Sequence, residues 1–455
     1  MIMIKNWINT LMARGTPAET TDKVVAELTA RVAAQADRIG ALETQRDLLK
    51  AQSSKAIKEN AAYKTRVSSF ISDRLIILLE KQNRLLEAVQ ADDNYDRYLE
   101  TDVIIAHHFD SLLTALALKE ASGDRIKVLF DCVEHPIHRL RTPGPLAGFF
   151  ETHRAHDLAH QSMNDHFIRQ CDHVTFTSPG HQQYLDDLGV SSSLVWNTKD
   201  TRSQSVSDRV LRQDLGAAET QPVVLFLNHA YPRGGLDEFM DIVDTMAEGF
   251  KFGFLGLVRG ADWFDRFKAE LPTYADRLTQ LDLERPNRIV DYIKDADCVI
   301  CSFDPTHEGY NGLVPIRFFD AVMAGVPIIA PKHSRAGQLI EEHGLGIAYW
   351  EGNHLAAVRE ACEMKKTRSF QANSKRARKV FGWENAQLPL ADALDGLLAQ
   401  TENARVLVIA NKPLRNNSRL RNFTATAHER SARTDVIGLA LPDEELNVEG
   451  VTYFT

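Results

Sequence analysis

The sequence predicts an α/β protein: two doubly wound domains on parallel sheets, preceded by a long helical segment. Three observations carry this. From Thr101 onward, short apolar runs alternate with helix-compatible sequence, as buried parallel strands and their crossovers do. The runs fall into two series divided by a polar stretch. Before Thr101 the apolar residues recur at helical spacing instead.

The helical segment spans 1–100 and reads as helix from about Thr21 to Gln90. Val25, Leu28, Val32, Gln35, Ile39, Leu42, Arg46 and Leu49 follow the 3-4-3-4 spacing of a coiled-coil seam, which Gln35 and Arg46 weaken. "SDRLIILLEKQNRLLEAVQ" is a second, more apolar helix. Two readings stand: oligomerisation or docking on a partner, and a hairpin packed on its own protein.

The first strand series is "DVIIAHH", "KVLFDCVEH", "HVTFTS" and "SLVWN". Residues 201–220 are polar and read as a connection. The second series is "PVVLFLNHA", "KFGFLGLV", "LTQLDL", "DCVICSF", "VPIIAP" and "GIAYW". In such sheets a ligand is expected in the crevice at the C-terminal strand ends. A last helix, Leu388 to Gln400, precedes three more strand candidates, "ARVLVIA", "TDVIGLAL" and "GVTYFT".

Composition narrows the function classes. The chain has 455 residues, 44% hydrophobic and 25% charged, with a net charge of -9. That acidic balance argues against nucleic acid as the main partner. No apolar stretch reaches the roughly 20 residues a membrane span needs, and the N-terminus lacks a signal-peptide cleavage pattern. The expected location is the cytoplasm, free or peripheral to the inner face of the membrane. Five scattered cysteines fit reduced thiols. Cys298 and Cys301 have CxxC spacing, but no second pair or His cluster supports zinc. Strand alternation should put them on opposite faces, as buried core thiols.

The segment "HEGYNGLVPIRFFDAVMAGVPIIAP", His307 to Pro331, resembles the donor-binding signature of GT-B glycosyltransferases, especially the retaining group called family 4. The resemblance implies two Rossmann-like domains and a nucleotide-sugar donor. A helix N-terminus suits a diphosphate. The implied donor site has Asn311, Gly312 and Leu313 in the loop, with Gly312 admitting close backbone approach. Asp320, one turn into the helix, would accept hydrogen bonds from both ribose hydroxyls. Arg317, three residues earlier on the same face, would reach a phosphate. The bland alternative is a surface ion pair between these two. The fuller family motif has two Glu eight positions apart. Gly312 stands where the first belongs, and Glu308 is a nearby substitute. Relatives with "P-x-[Lys/Arg]" also lack the first Glu, and "PIR" is similar to theirs.

The resemblance extends both ways. "VVLFLNHAYPRGGLDEFMDIV" looks like the start of the donor domain and makes Arg233 a second cation for the diphosphate. "FGWENAQ" is similar to the Trp turn before the final crossover helix. "DVIIAHHFDSLLTALAL", "VLFDCVEHP" and "HVTFTSPGHQQYL" resemble units of the acceptor-side domain. They imply that His107, His108, Asp131, Glu134 and His135 cluster at the cleft as catalytic or sugar-contacting residues. Singly, each is more often a loop hydrogen-bonder.

The first series is one set of strands short of such a domain, and the C-terminal tail holds a matching set. The tail therefore reads as a circular permutation: 101–203 plus 403–455 form the acceptor-side domain, 204–387 the donor domain and 388–402 the crossover helix. The rival account is a truncated second module. In the permuted reading "ANKPLRNNSR" is an acceptor or diphosphate loop, with Asn411, Arg415 and Arg419 as contacts; the plain alternative is a basic surface loop.

The implied activity is transfer of a sugar from a nucleotide-sugar to a glycan, lipid-linked or protein acceptor, as in polysaccharide biosynthesis. Family likeness implies retention, no metal and no cofactor beyond the donor, with a homo-oligomer as one use of the N-terminal helices. The alternative is a catalytically inactive scaffold binding a partner through those helices. A dehydrogenase is rejected, because Gly253, Gly256 and Gly260 do not have Gly-x-Gly-x-x-Gly spacing.

Overall fold

A computed structural model describes residues 84–133, 164–200, 204–227, 242–243, 249–255, 278–282, 285, 287–301, 312–350, 352–399, 401–410, 417–438 and 448–454. The expected coiled-coil seam lies outside them. So do Glu134, His135, Arg233, Glu308, Asn311, Asn411 and Arg415.

Two parallel sheets organise the described residues. The first has seven strands in the order β13-β12-β11-β1-β2-β3-β4. Its members are β1 (Val103–His107), β2 (Lys127–Cys132), β3 (His173–Phe176), β4 (Ser192–Leu194), β11 (Arg405–Ala410), β12 (Arg433–Gly438) and β13 (Thr452–Phe454). The second has six, in the order β10-β9-β8-β5-β6-β7. They are β5 (Val223–Phe226), β6 (Lys251–Leu255), β7 (Leu278–Leu281), β8 (Cys298–Ile300), β9 (Ile328–Pro331) and β10 (Gly346–Tyr349). Both belong to one contact unit, Leu75–Thr455.

Each expected strand is present, because uninterrupted Val, Ile, Leu and Phe runs need cover on both faces. Alternation sorts the second sheet between two cores: Val223, Leu225, Val299 and Cys301 enter one, Val224, Phe226, Cys298 and Ile300 the other. The CxxC pair is thus split across the sheet. Cys298 instead shares its core with Cys362, a neighbour that sequence spacing does not show. "SLVWN" is a strand only at its start. Residues 195–200 leave the sheet as an irregular connection toward the second one.

The chain's last strands lie inside the first sheet. β11 pairs in parallel with β1 over Val103↔Val406 to His107↔Ala410, and with β12 on its other side. Its residues serve both cores: Leu407 and Ile409 on one face, Val406 and Val408 on the other. Four helices pack against these strands: α1 (Phe109–Ala121), α2 (Ile316–Ala324), α3 (Leu388–Leu398) and α4 (Ser418–His428). Helix α2 ends at Gly325, whose φ of 71° is the left-handed cap that makes a Gly-x-Pro exit economical. No helix among the described residues is long and apolar enough to cross a membrane.

Candidate functional site

The C-terminal ends of β1 and β2 carry a buried polar cluster. Asp131 is 0% exposed and receives four donors. Arg419 approaches in bidentate fashion, Nη2 to Oδ1 at 2.6 Å and Nε to Oδ2 at 3.0 Å. His107 Nδ1 lies 2.7 Å from Oδ2, and Thr175 Oγ1 donates to Oδ1 at 3.0 Å. Arg419 also donates to the carbonyls of Val195 and Trp196, at 3.1 and 3.4 Å. It therefore ties β2, the connection after β4 and α4 together.

His107 joins the same tie. With Nδ1–H given to Asp131, Nε2 is the acceptor for Asn417 Nδ2 at 3.2 Å. Asn417 also caps α4, its Oδ1 accepting from Leu420 N at 3.0 Å. His108 has φ 63° and ψ 164°, a conformation nearly reserved for glycine. It is held there by its N–H to the Asp131 carbonyl, at 3.2 Å, and by edge contact with His107, ring centroids 4.3 Å apart. Strain at a strand end is one mark of a functional rim.

These positions correct the sequence reading. His107 and Asp131 do not line an open cleft: they are 2% and 0% exposed, and committed to neighbours. Arg419 is not a loop residue. It sits in the first turn of α4, 4% exposed, with its guanidinium spent on Asp131 and two carbonyls. The reason is charge: an acid buried between two strands requires a cation there, and the tail supplies it.

Burial pushes the Asp131 carboxyl up, but Arg419 and His107 outweigh it and hold the group well below the usual carboxylate range. A lowered folded value means stability that is present above the unfolded value, ~3.9, and lost as pH falls below it. The stability gap between wild type and Asp131→Asn is therefore expected to be widest near neutrality and to narrow below about pH 4. Urea titrations at three pH values check this; a gap that widens in acid would contradict it.

The second half of the site is α2 and the loop before it. Helix α2 begins after Pro315, where the spacing places it, and Asp320 lies one turn in. Asp320 is 0% exposed. Arg317 Nη1 donates to its Oδ2 at 3.0 Å. The pair is real, yet not a surface pair, since only Arg317 reaches solvent, with 25% of its side chain exposed. Oδ1 faces Lys199, whose ammonium is 3.4 Å away, and accepts no hydrogen bond among the described residues. Burial pulls the Lys199 ammonium below its ordinary range, against the attraction of Asp320.

The loop residues Gly312 and Leu313 are half-buried. A Cβ built on Gly312 would stand 3.2 Å from Gly180 Cα, and one on Gly180 would stand 3.1 Å from Gly312 Cα. Gly312 thus admits a close approach, but of the backbone in the "SPGH" turn beyond β3. Next to it, Ser178 Oγ accepts from Val314 N at 3.0 Å. The ends of both sheets therefore meet at these two turns, with Asp320 and Lys199 also joining them.

Asn417, Thr175 and Lys199 were not legible as site residues. Only Asn417 left a signal, as the polar cap before a helical run. Among the described residues, no group of three His, Cys, Asp or Glu is placed to hold a metal ion.

No family model matches the chain, and no curated protein matches its sequence. Its architecture does match solved structures. Sucrose-phosphate synthase from Thermosynechococcus elongatus aligns at a TM-score of 0.56 and 15% identity, over 71% of this chain and 80% of that one. HepE from Anabaena, in complex with UDP-glucose, aligns at 0.52 and 15%, over 69% and 82%. The fold is GT-B. In GT-B terms, the described Asp320 region belongs to the second sheet's domain and the Asp131 cluster to the first.

Proposed function

We propose that this GT-B protein is a glycosyltransferase that moves a sugar from a nucleotide-sugar to a glycan, lipid-linked or protein acceptor. The carrying observation is Asp320: an acid one turn into a helix that follows a Gly-Pro loop, placed where the ends of the two sheets meet. A carboxylate there accepts from ribose hydroxyls, and the start of α2 with Arg317 suits the diphosphate. The structural neighbour HepE, in complex with UDP-glucose, supports a donor of this class.

The reading is of a retaining reaction without a metal. Arg317 and Arg233 offset the charge that develops on the leaving diphosphate, and that diphosphate helps to deprotonate the acceptor. The chain's part is positioning and electrostatic stabilisation. The reading includes a circular permutation, in which β11, α4, β12 and β13 are the opening elements of the first GT-B domain. Support for it comes from β11 pairing between β1 and β12.

A thermal-shift panel of UDP-, GDP-, ADP- and dTDP-sugars tests the donor site. A donor at about 100 times its Kd adds ~2.7 kcal/mol, and Asp320→Ala is expected to lose that increment. Absence of a shift with every donor would sink the reading and favour a scaffold without turnover.

A further inference from the structure

Lys199 stands where three parts of the chain meet. It comes from the connection after β4, lies 3.4 Å from Asp320 Oδ1 on α2, and donates to Ser418 Oγ on α4 at 3.3 Å. Its side chain is 2% exposed. The backbone around it is pinned. Trp383 N–H donates to the Lys199 carbonyl at 3.1 Å, and Asn422 Nδ2 to that of Thr198 at 3.4 Å. Arg421 Nη1 holds Asp200 at 3.4 Å. What remains adjustable is the lysine's flexible four-carbon stem with its compact charge.

Asp320 is the complementary half. Arg317 occupies Oδ2, while Oδ1 is buried and accepts no hydrogen bond among the described residues. That oxygen is held by the attraction of the Lys199 ammonium at 3.4 Å rather than by a well-formed hydrogen bond, so it can take a hydroxyl donor. A ribose hydroxyl arriving at Oδ1 takes the place that the ammonium now neutralises. A displaced, buried ammonium then needs another anion, since leaving it unpaired is costly. The diphosphate of the same ligand brings one.

We propose that Lys199 is an exchange cation of the donor site: it neutralises Asp320 when the site is empty and passes to the diphosphate when ribose occupies Asp320. The proposal rests on the donor reading above. It makes Lys199 a discriminator: a nucleoside must evict the ammonium and offers nothing in return, whereas a nucleoside diphosphate recaptures it.

The test compares uridine with UDP, guanosine with GDP, adenosine with ADP and thymidine with dTDP, by calorimetric titration of the full chain. In the wild type the diphosphate binds far more tightly than its nucleoside. In Lys199→Met that preference is expected to shrink at least about tenfold, the weight of one charge-assisted hydrogen bond. Diphosphate binding weakens while nucleoside binding holds or improves. Should Lys199→Met yield too little folded protein, Lys199→Gln keeps an amide donor toward Asp320 and gives the same comparison. A lysine that merely supports the fold weakens both ligands by one factor, and that result would overturn the proposal alone. A wild type that binds no nucleoside diphosphate would overturn the donor reading, and this proposal with it.

Discussion

Ending the chain after residue 402 is expected to leave no cooperatively folded protein. β11 is an interior strand: Val406 is 1% exposed, and Leu407, Val408 and Ile409 are 0% exposed. Each such side chain contributes roughly 1.5–3 kcal/mol by burial. The four together are therefore comparable to a typical net stability of ~5–15 kcal/mol. Truncation also opens the edge of β1 and strips Asp131 of Arg419. Circular dichroism melting and gel filtration of the truncated chain check this. A soluble product with a sharp melt would make the tail an appendage, as the truncated-module account requires.

The same geometry predicts that a rearranged chain folds. Phe454, at the end of β13, packs edge-on against Tyr98, ring centroids 5.5 Å apart, and Arg97 lies 5.2 Å over its ring. A short linker from 455 into the helix Tyr95–Leu99, with new termini opened between 402 and 403, should keep both sheets. Failure of that chain to fold, while the natural order folds, would count against the permutation.

Arg419→Ala is expected to be the most damaging single substitution, costing ~3–5 kcal/mol, because it leaves a buried carboxylate without its cation. His107 and Thr175 remain on Asp131, but neither replaces a bidentate guanidinium. Lost packing adds to the effect, since the guanidinium lies 4.5 Å over the Phe423 ring. The double variant Arg419→Ala with Asp131→Asn removes both charges and should cost less than the two single changes summed. Urea midpoints of all four proteins close the cycle. An additive result would mean that the pair is not coupled, and that α4 is held by its apolar face alone.

The elements were legible because burial on both faces of a parallel sheet leaves a plain record: uninterrupted Val, Ile, Leu and Phe runs at "DVIIAHH", "PVVLF" and "ARVLVIA". The start and end of α2 were legible from its Gly-Pro loop and Gly-x-Pro exit, while it was the resemblance to the donor-binding signature that singled out Asp320. The seam between Cys298 and Cys301 followed from alternation alone.

What local sequence determined, then, was the strands, the helix bearing Asp320 and the domain class. Tertiary structure decided which partners each charge found. Asp131 and Arg419 are 288 residues apart in the chain, and Lys199 and Asp320 have 120 residues between them in the numbering. Nothing within a strand period of Asp131 signals Arg419, and Arg317, one helical turn from Asp320, gives no hint of Lys199. Buried charges choose partners by proximity after the sheets have formed, because the energy of leaving one unpaired depends on the finished interior. Pairing across such distances is a property of the fold and is decided only by the tertiary structure.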